Sequence, residues 1–221
     1  MSADSLDPKE LKIGENGFSS ALLVDVPIST RKTPTRPKNK EVRVREWVTP
    51  QEVMALQKAA KASKNGLRDS LMIGMAFQHA LRVSELVLLR WEQIDFKSGK
   101  ISVIRLKGGV DSMHLLSADE IRSLAKLKRE QGDTGGGFVF TSPAGLPMTT
   151  SNFRKICNSA AEGSDLGLKF HPHMLRHGCG TSLARKDTPI LLIAGYMGHK
   201  NIQNTMTYIS LNPDQFNNLS P

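Results

Sequence analysis

Apolar residues begin to recur at helical spacing near Val48, and most of the chain from there on keeps that period. Thr49-Pro50-Gln51-Glu52 joins an N-cap residue, a proline at the first helical position and a glutamate at the capping-box position. A helix therefore opens there, with Val53, Leu56 and Ala60 as its apolar stripe. A second helix is predicted over 67–80, with Leu71, Met72, Met75 and Ala76 turned inward. A third is predicted over 82–94, where Val83, Leu86, Val87 and Leu89 are apolar. The runs 101–105 and 112–116, on either side of Lys107-Gly108-Gly109, read as two short strands around a turn. Ser117-Ala118-Asp119-Glu120 is a second capping box and starts a helix over 118–130. A loop, a short apolar segment at Phe138-Val139-Phe140 and a turn-rich stretch follow, and then helices over 152–162, 172–185, 189–196 and 201–208. The expected fold class is mainly α with a small antiparallel β-sheet.

The pattern also divides the chain. Residues 1–46 read as a flexible basic N-terminal arm, broken by Pro34 and Pro37. Its residues 31–46 carry Arg31, Lys32, Arg36, Lys38, Lys40, Arg43 and Arg45 against only Glu41 and Glu46. These seven cations are candidate DNA-binding residues; a solvated tail is the plainer meaning of such a run. Residues 47–221 form the second unit, a folded domain with a short C-terminal tail.

Charge sharpens this picture. Thirty Lys and Arg against 21 Asp and Glu leave a net charge of +9 over 221 residues, which favours a polyanionic partner. With 39% hydrophobic and 23% charged residues the composition is that of a folded globular chain. The longest apolar run, 190–194, is too short to span a bilayer, so no membrane partner is expected. Cys157 and Cys179 alone cannot build a disulfide scaffold, and the N-terminus lacks the basic head and apolar stretch of a secretory signal. A reduced, cytoplasmic location is the expectation; charge alone does not name the polyanion.

The candidate chemistry lies mostly in the second half. On a helix, His173, Arg176 and His177 fall at i, i+3 and i+4 and share a face. Imidazole beside guanidinium is a poor choice for a core and a good one for gripping a phosphate oxyanion. No Asp or Glu lies between Asp165 and Asp187, and an adjacent Arg repels a divalent cation, so no metal is expected at these histidines. Gly198 lets the chain leave a helix before His199, and that break lets His199 and Tyr208 converge, which one unbroken helix would prevent. Tyr196 follows three apolar residues and is expected in the core; Tyr208, in a polar series, is expected to be partly accessible. Arg82 is followed at i+3 by Glu85, which reads either as a surface ion pair or as a carboxylate holding Arg82 toward a phosphate. Lys107 sits at the tip of the predicted hairpin.

Taken together, Arg82 within Leu81-Arg82-Val83-Ser84-Glu85-Leu86, hairpin Lys107, His173-Met174-Leu175-Arg176, Gly198-His199 and Tyr208 resemble the catalytic domain of the tyrosine recombinase (phage integrase) family. The phrase His171-Pro172-His173-Met174-Leu175-Arg176-His177 looks most like the small recombinases that invert fimbrial promoter switches. The resemblance implies that Arg82, Lys107, His173, Arg176, His199 and Tyr208 are catalytic, with Glu85 and His177 in support. It implies a site-specific recombinase that joins DNA to Tyr208 through a 3′-phosphotyrosyl link, without cofactor, metal or ATP. His173 would then take the phenolic proton, and Lys107 would protonate the leaving 5′-oxygen. A pocket rich in cations is expected to favour the phenolate. The implied partners are double-stranded DNA with specific sites, further copies of the chain in a tetramer, and accessory DNA-bending proteins. Larger members carry an N-terminal helical clamp domain, for which residues 1–46 are too short. Two other readings use the same residues: a non-catalytic DNA-binding accessory or regulatory protein on this scaffold, and a type IB topoisomerase-like relaxing enzyme.

Overall fold

The computed structural model describes residues 45–106, 108–132, 136–167 and 169–209. Of the arm cations only Arg45 falls within them; Arg31, Lys32, Arg36, Lys38, Lys40 and Arg43 lie outside, as does Lys107.

Helix α1 (Pro50–Lys61) begins as its capping signal dictates: Thr49 Oγ1 accepts from the Glu52 amide at 3.2 Å and Glu52 Oε2 accepts from the Thr49 amide at 2.7 Å. Val53, Leu56 and Ala60 are its buried face. Helix α2 (Gly66–Gln78) packs on it and buries Leu71, Met72, Ile73, Met75 and Ala76. The expected helix over 82–94 is shorter: α3 (Val83–Val87) stops after five residues. Its apolar spacing suits a longer helix, but the backbone beyond Leu88 is claimed by another segment. Leu89 carbonyl accepts from the Val139 amide at 2.8 Å, and the Trp91 amide donates to Gly137 carbonyl at 2.9 Å. A 3₁₀ turn (Trp91–Gln93) then leads into a strand, so tertiary pairing overrides the helical pattern.

That strand, β1 (Ile94–Asp95), pairs antiparallel with β2 (Lys100–Val103), which pairs antiparallel with β3 (Ser112–Leu115). The sheet thus has three strands, one more than the sequence pattern shows. Helix α4 (Ala118–Gln131) starts at its Ser117–Glu120 capping box. Helices α5 (Thr150–Gly163), α6 (His173–Ala184), α7 (Ile190–Met197) and α8 (Gln203–Ile209) complete the element order. No described helix is long and apolar enough to cross a membrane.

Two apolar clusters hold these elements. The larger runs from Val48 through α1, α2 and the sheet to Phe140, Phe153 and Leu175. The smaller gathers Ala80, Cys179, Ala184, Ile193, Met197 and Tyr208, and α6 contributes to both. Helix α6 contacts α2, α7 and α8. Gly180 permits the closest of these approaches: a Cβ there would lie 2.6 Å from the Tyr208 ring and 2.9 Å from Met197 Sδ. Gly195, on α7, faces open space. Gly180→Ala is therefore expected to lose about 1–3 kcal/mol in urea unfolding through overpacking. Gly195→Ala should lose nothing, since Ala is the better helix former. Equal midpoints for the two variants would contradict this packing.

Candidate active site

The site is built around the start of α3. Glu85 is only 5% exposed, and burial by itself would raise its carboxyl pKa. Bonds from Arg82 and then Arg105 outweigh burial and hold the group below its usual range. The Arg82 amide donates to Glu85 Oε2 at 2.9 Å and Arg82 Nη1 donates to Oε1 at 2.7 Å. The Leu106 amide also donates to Oε1, at 3.3 Å. Arg82 keeps 29% of its side chain exposed, so the fork is fixed at one end and open to solvent at the other.

Arg176 comes from the first turns of α6 and is 2% exposed. Its Nη1 donates to Ala80 carbonyl and its Nη2 to Met197 carbonyl at 2.7 Å. A guanidinium has five N–H donors, so these two bonds leave three. Burial, then the neighbouring cations Arg82 and Arg105, push its pKa down to about 10. Ala80 has φ +49°, in the left-handed region that L-residues other than glycine seldom occupy. This conformation turns one carbonyl toward two guanidiniums, because Arg105 Nη1 donates to it as well, at 3.0 Å.

Tyr208 lies over α6. Its hydroxyl is 3.1 Å from His177 Nδ1, and its ring is nearly parallel to that of His199, with centroids 6.3 Å apart. The break at Gly198, whose φ is +66°, lets His199 turn back toward α8, where its Nδ1 meets Thr205 Oγ1 at 2.8 Å. The His173 ring meets His177 edge-on at 4.4 Å between centroids. His173 keeps an exposed outer edge; loss of water around the rest of the ring, then His177 and Arg176, hold its pKa down to about 4. Burial and the arginines bring His199 to about 4 as well.

Two expectations about the tyrosines change. Tyr208 is 2% exposed instead of partly accessible, because Gly180 lets it sink into the smaller apolar cluster. Tyr196 is half-buried instead of core: it stacks on His114 at 3.8 Å and donates its hydroxyl to Gln78 carbonyl at 2.8 Å. Leu191 and Leu192 beside it are exposed. The expected preference for phenolate is also reversed here. Burial raises the Tyr208 pKa to about 12, although Arg176 and Arg82 act to lower it. The proton acceptor expected at His173 is not the group in contact; His177 is.

Arg82, Glu85, His173, Arg176, His177, His199 and Tyr208 thus form one cluster, linked by bonds, ring contacts or mutual fields. Arg45 stands apart: it pairs with Glu52 and lies over Trp47, which Arg185 covers at 4.5 Å. Sequence reasoning missed Arg105, which is buried against Glu85, and Thr205. An arginine in a strand-like run gave the only available signal for the first.

A helical body carrying a three-stranded antiparallel sheet, with this cluster at the junction of α2, α3, α6 and α8, defines the catalytic-domain fold of tyrosine recombinases. Solved structures agree. XerA recombinase aligns with TM-score 0.69 at 23% identity, over 79% of this chain and 65% of that one. XerH bound to a palindromic difH substrate after cleavage aligns with TM-score 0.67 at 20% identity, over 79% of this chain and 52% of that one. Residues 46–215 match the Phage integrase family, and the chain belongs to it. The type 1 fimbriae regulatory protein FimE of Escherichia coli K12 is 32% identical over 176 residues, covering 78% of this chain and 89% of FimE. FimB of the same strain is 33% identical over 175 residues, covering 78% and 88%.

The buried imidazoles predict how stability depends on acidity. His114 is pushed from 6.5 to about 3, by burial first and then by His79 and Arg105. Its folded pKa is below its unfolded one, so between the two the unfolded chain binds the proton that the native state refuses. The contribution is complete above about pH 6.5 and is lost as pH falls toward the folded value, and His199 adds in the same direction. The urea midpoint should therefore fall from about pH 7 to about pH 4, and less steeply in His114→Gln. A flat profile in this window would contradict the burial of these rings.

Proposed function

We propose that this protein is a site-specific DNA recombinase that cuts and rejoins double-stranded DNA through a covalent 3′-phosphotyrosyl intermediate at Tyr208, using neither metal nor ATP. The observation that carries the reading is the convergence of Arg82 and Arg176 on Tyr208, close enough that both act on its ionisation. Arg82, Arg105 and Arg176 against one carboxylate, Glu85, leave an excess of two positive charges. A phosphodiester brings one negative charge and its transition state gathers a second on the same oxygens, so the cluster is matched to the transition state.

The steps follow from the groups. Arg82 and Arg176 take the non-bridging oxygens with their free N–H donors, and His173 and His199 add hydrogen bonds. The Tyr208 oxygen forms its bond to phosphorus as the bond from phosphorus to the 5′-oxygen breaks. The phenolic proton passes to a neutral imidazole. His177 Nδ1 is in position for this, and its pKa is lowered chiefly by burial. The 5′-oxygen takes a proton from Lys107. Reversal with another strand's 5′-hydroxyl rejoins the DNA, because the phosphotyrosyl link conserves the bond energy. The tetramer on paired sites, accessory DNA-bending proteins and the arm's phosphate contacts belong to the same proposal. So does inversion of a DNA segment as the outcome, which the resemblance to fimbrial-switch recombinases supports.

Nicked duplexes prepared from the genome that encodes the protein, followed by a denaturing gel, test this directly. A covalent protein–DNA band is expected, and sequencing the trapped DNA gives the site. Tyr208→Phe should abolish the band while binding stays within about threefold of wild type. Arg82→Ala and Arg176→Ala should each slow adduct formation by about 100-fold or more. A band that survives Tyr208→Phe would remove Tyr208 as nucleophile, and wild-type binding with no band would favour an accessory DNA-binding role.

A further inference from the structure

Arg105 has no part in the steps above, yet it sits at their centre. Its side chain is fully buried and pairs with Glu85 Oε2 at 3.0 Å. It also donates to Ala80 carbonyl at 3.0 Å, His79 carbonyl at 3.3 Å and Tyr196 carbonyl at 2.7 Å. One guanidinium therefore ties together the end of α2, the first turn of α3 and the body of α7.

A clamp that only joined three helices would not need a charge. Burying a guanidinium near two others is costly, and a neutral amide side chain could donate to these carbonyls without that cost. What the charge supplies is a fixed partner for Glu85. Arg105 binds Oε2 while Arg82 Nη1 binds Oε1, so the two arginines hold opposite oxygens and the carboxylate cannot swing. The Arg105 amide, bonded to Asp111 Oδ1 at 2.7 Å, anchors the backbone from which this side chain reaches in. On the other side, Arg105 and Arg176 share the carbonyl of left-handed Ala80.

We propose that Arg105 is a positioning residue for phosphate binding: through Glu85 it sets the Arg82 fork, and through Ala80 carbonyl it sets Arg176. The inference rests on the recombinase reading. It never touches DNA in this account and acts only through the other two arginines.

The test uses the cleavage site found by sequencing, in two nicked suicide duplexes. One has an ordinary scissile phosphodiester. In the other a methyl group replaces one non-bridging oxygen, so the neutral methylphosphonate gathers one negative charge fewer in the transition state. Arg105→Met should bind DNA within about threefold of wild type yet form adduct at least about 30-fold more slowly on the phosphodiester. On the methylphosphonate the gap should shrink to about fivefold or less, as it should for Arg82→Ala, because the missing charge is the one the fork neutralises. Arg105→Met combined with Arg82→Ala should be slower than Arg82→Ala alone by clearly less than the factor Arg105→Met costs by itself, because only its route through Arg176 is left to lose. Equal losses on the two substrates, a full additive loss in the double variant, or no loss at all would each overturn the assignment. Should Arg105→Met lack a cooperative urea transition, Arg105→Lys is read by the same criteria, with a smaller loss expected. Failure of the wild type to form adduct on the phosphodiester would overturn the proposed function itself, and this inference with it.

Discussion

The arrangement depends on one buried carboxylate. Glu85 is the anion about which Arg82 and Arg105 are fixed, and it lies at the start of a helix only five residues long. Removing one partner of such a buried pair costs about 3–5 kcal/mol, because a charge is left without compensation. The remaining positive charge has no protein partner of its own within the cluster. In the proposed function that excess charge, fixed in place by the fold, is what a phosphate would neutralise.

The phenol is governed by a contest between burial and charge. Desolvation raises the Tyr208 pKa, Arg176 and Arg82 oppose it, and burial prevails at about 12. A phenol held neutral in this way needs a base in contact, and the geometry offers His177 at 3.1 Å. Low pKa values at His173 and His199 keep those rings neutral near pH 7, able to donate or accept without adding charge. The same close packing at Gly180 that buries Tyr208 also sets it beside His177.

Much of this was legible in the residues. The capping boxes at Thr49 and Ser117 start helices where they stand, because capping is a local interaction between residues three apart. Arg82 with Glu85, and His173 with Arg176 and His177, are short-range patterns, and they fall into one cluster. The failures are all non-local. The helix expected to reach Ile94 ends at Val87 because residues 137–139 take over its backbone bonds, some fifty positions away in the chain. Arg105 meets Glu85 across a turn of the tertiary fold, which no periodicity reports. Tyr208 looked accessible because its neighbours are polar. Asn204, Met206 and Thr207 are indeed exposed, and over 203–208 only Thr205 and Tyr208 face inward.

The central claim is that Arg82 and Arg176 hold one phosphorus atom in line with the Tyr208 oxygen. Orthovanadate with cut DNA tests it most directly, since vanadate takes the trigonal-bipyramidal shape of a phosphoryl-transfer transition state. A structure of that complex should show the Tyr208 oxygen at one apex and the DNA 5′-oxygen at the other. The equatorial oxygens should lie about 3 Å from both guanidiniums. Vanadate bound elsewhere on the protein, or held by these arginines with a different residue at the apex, would contradict the account.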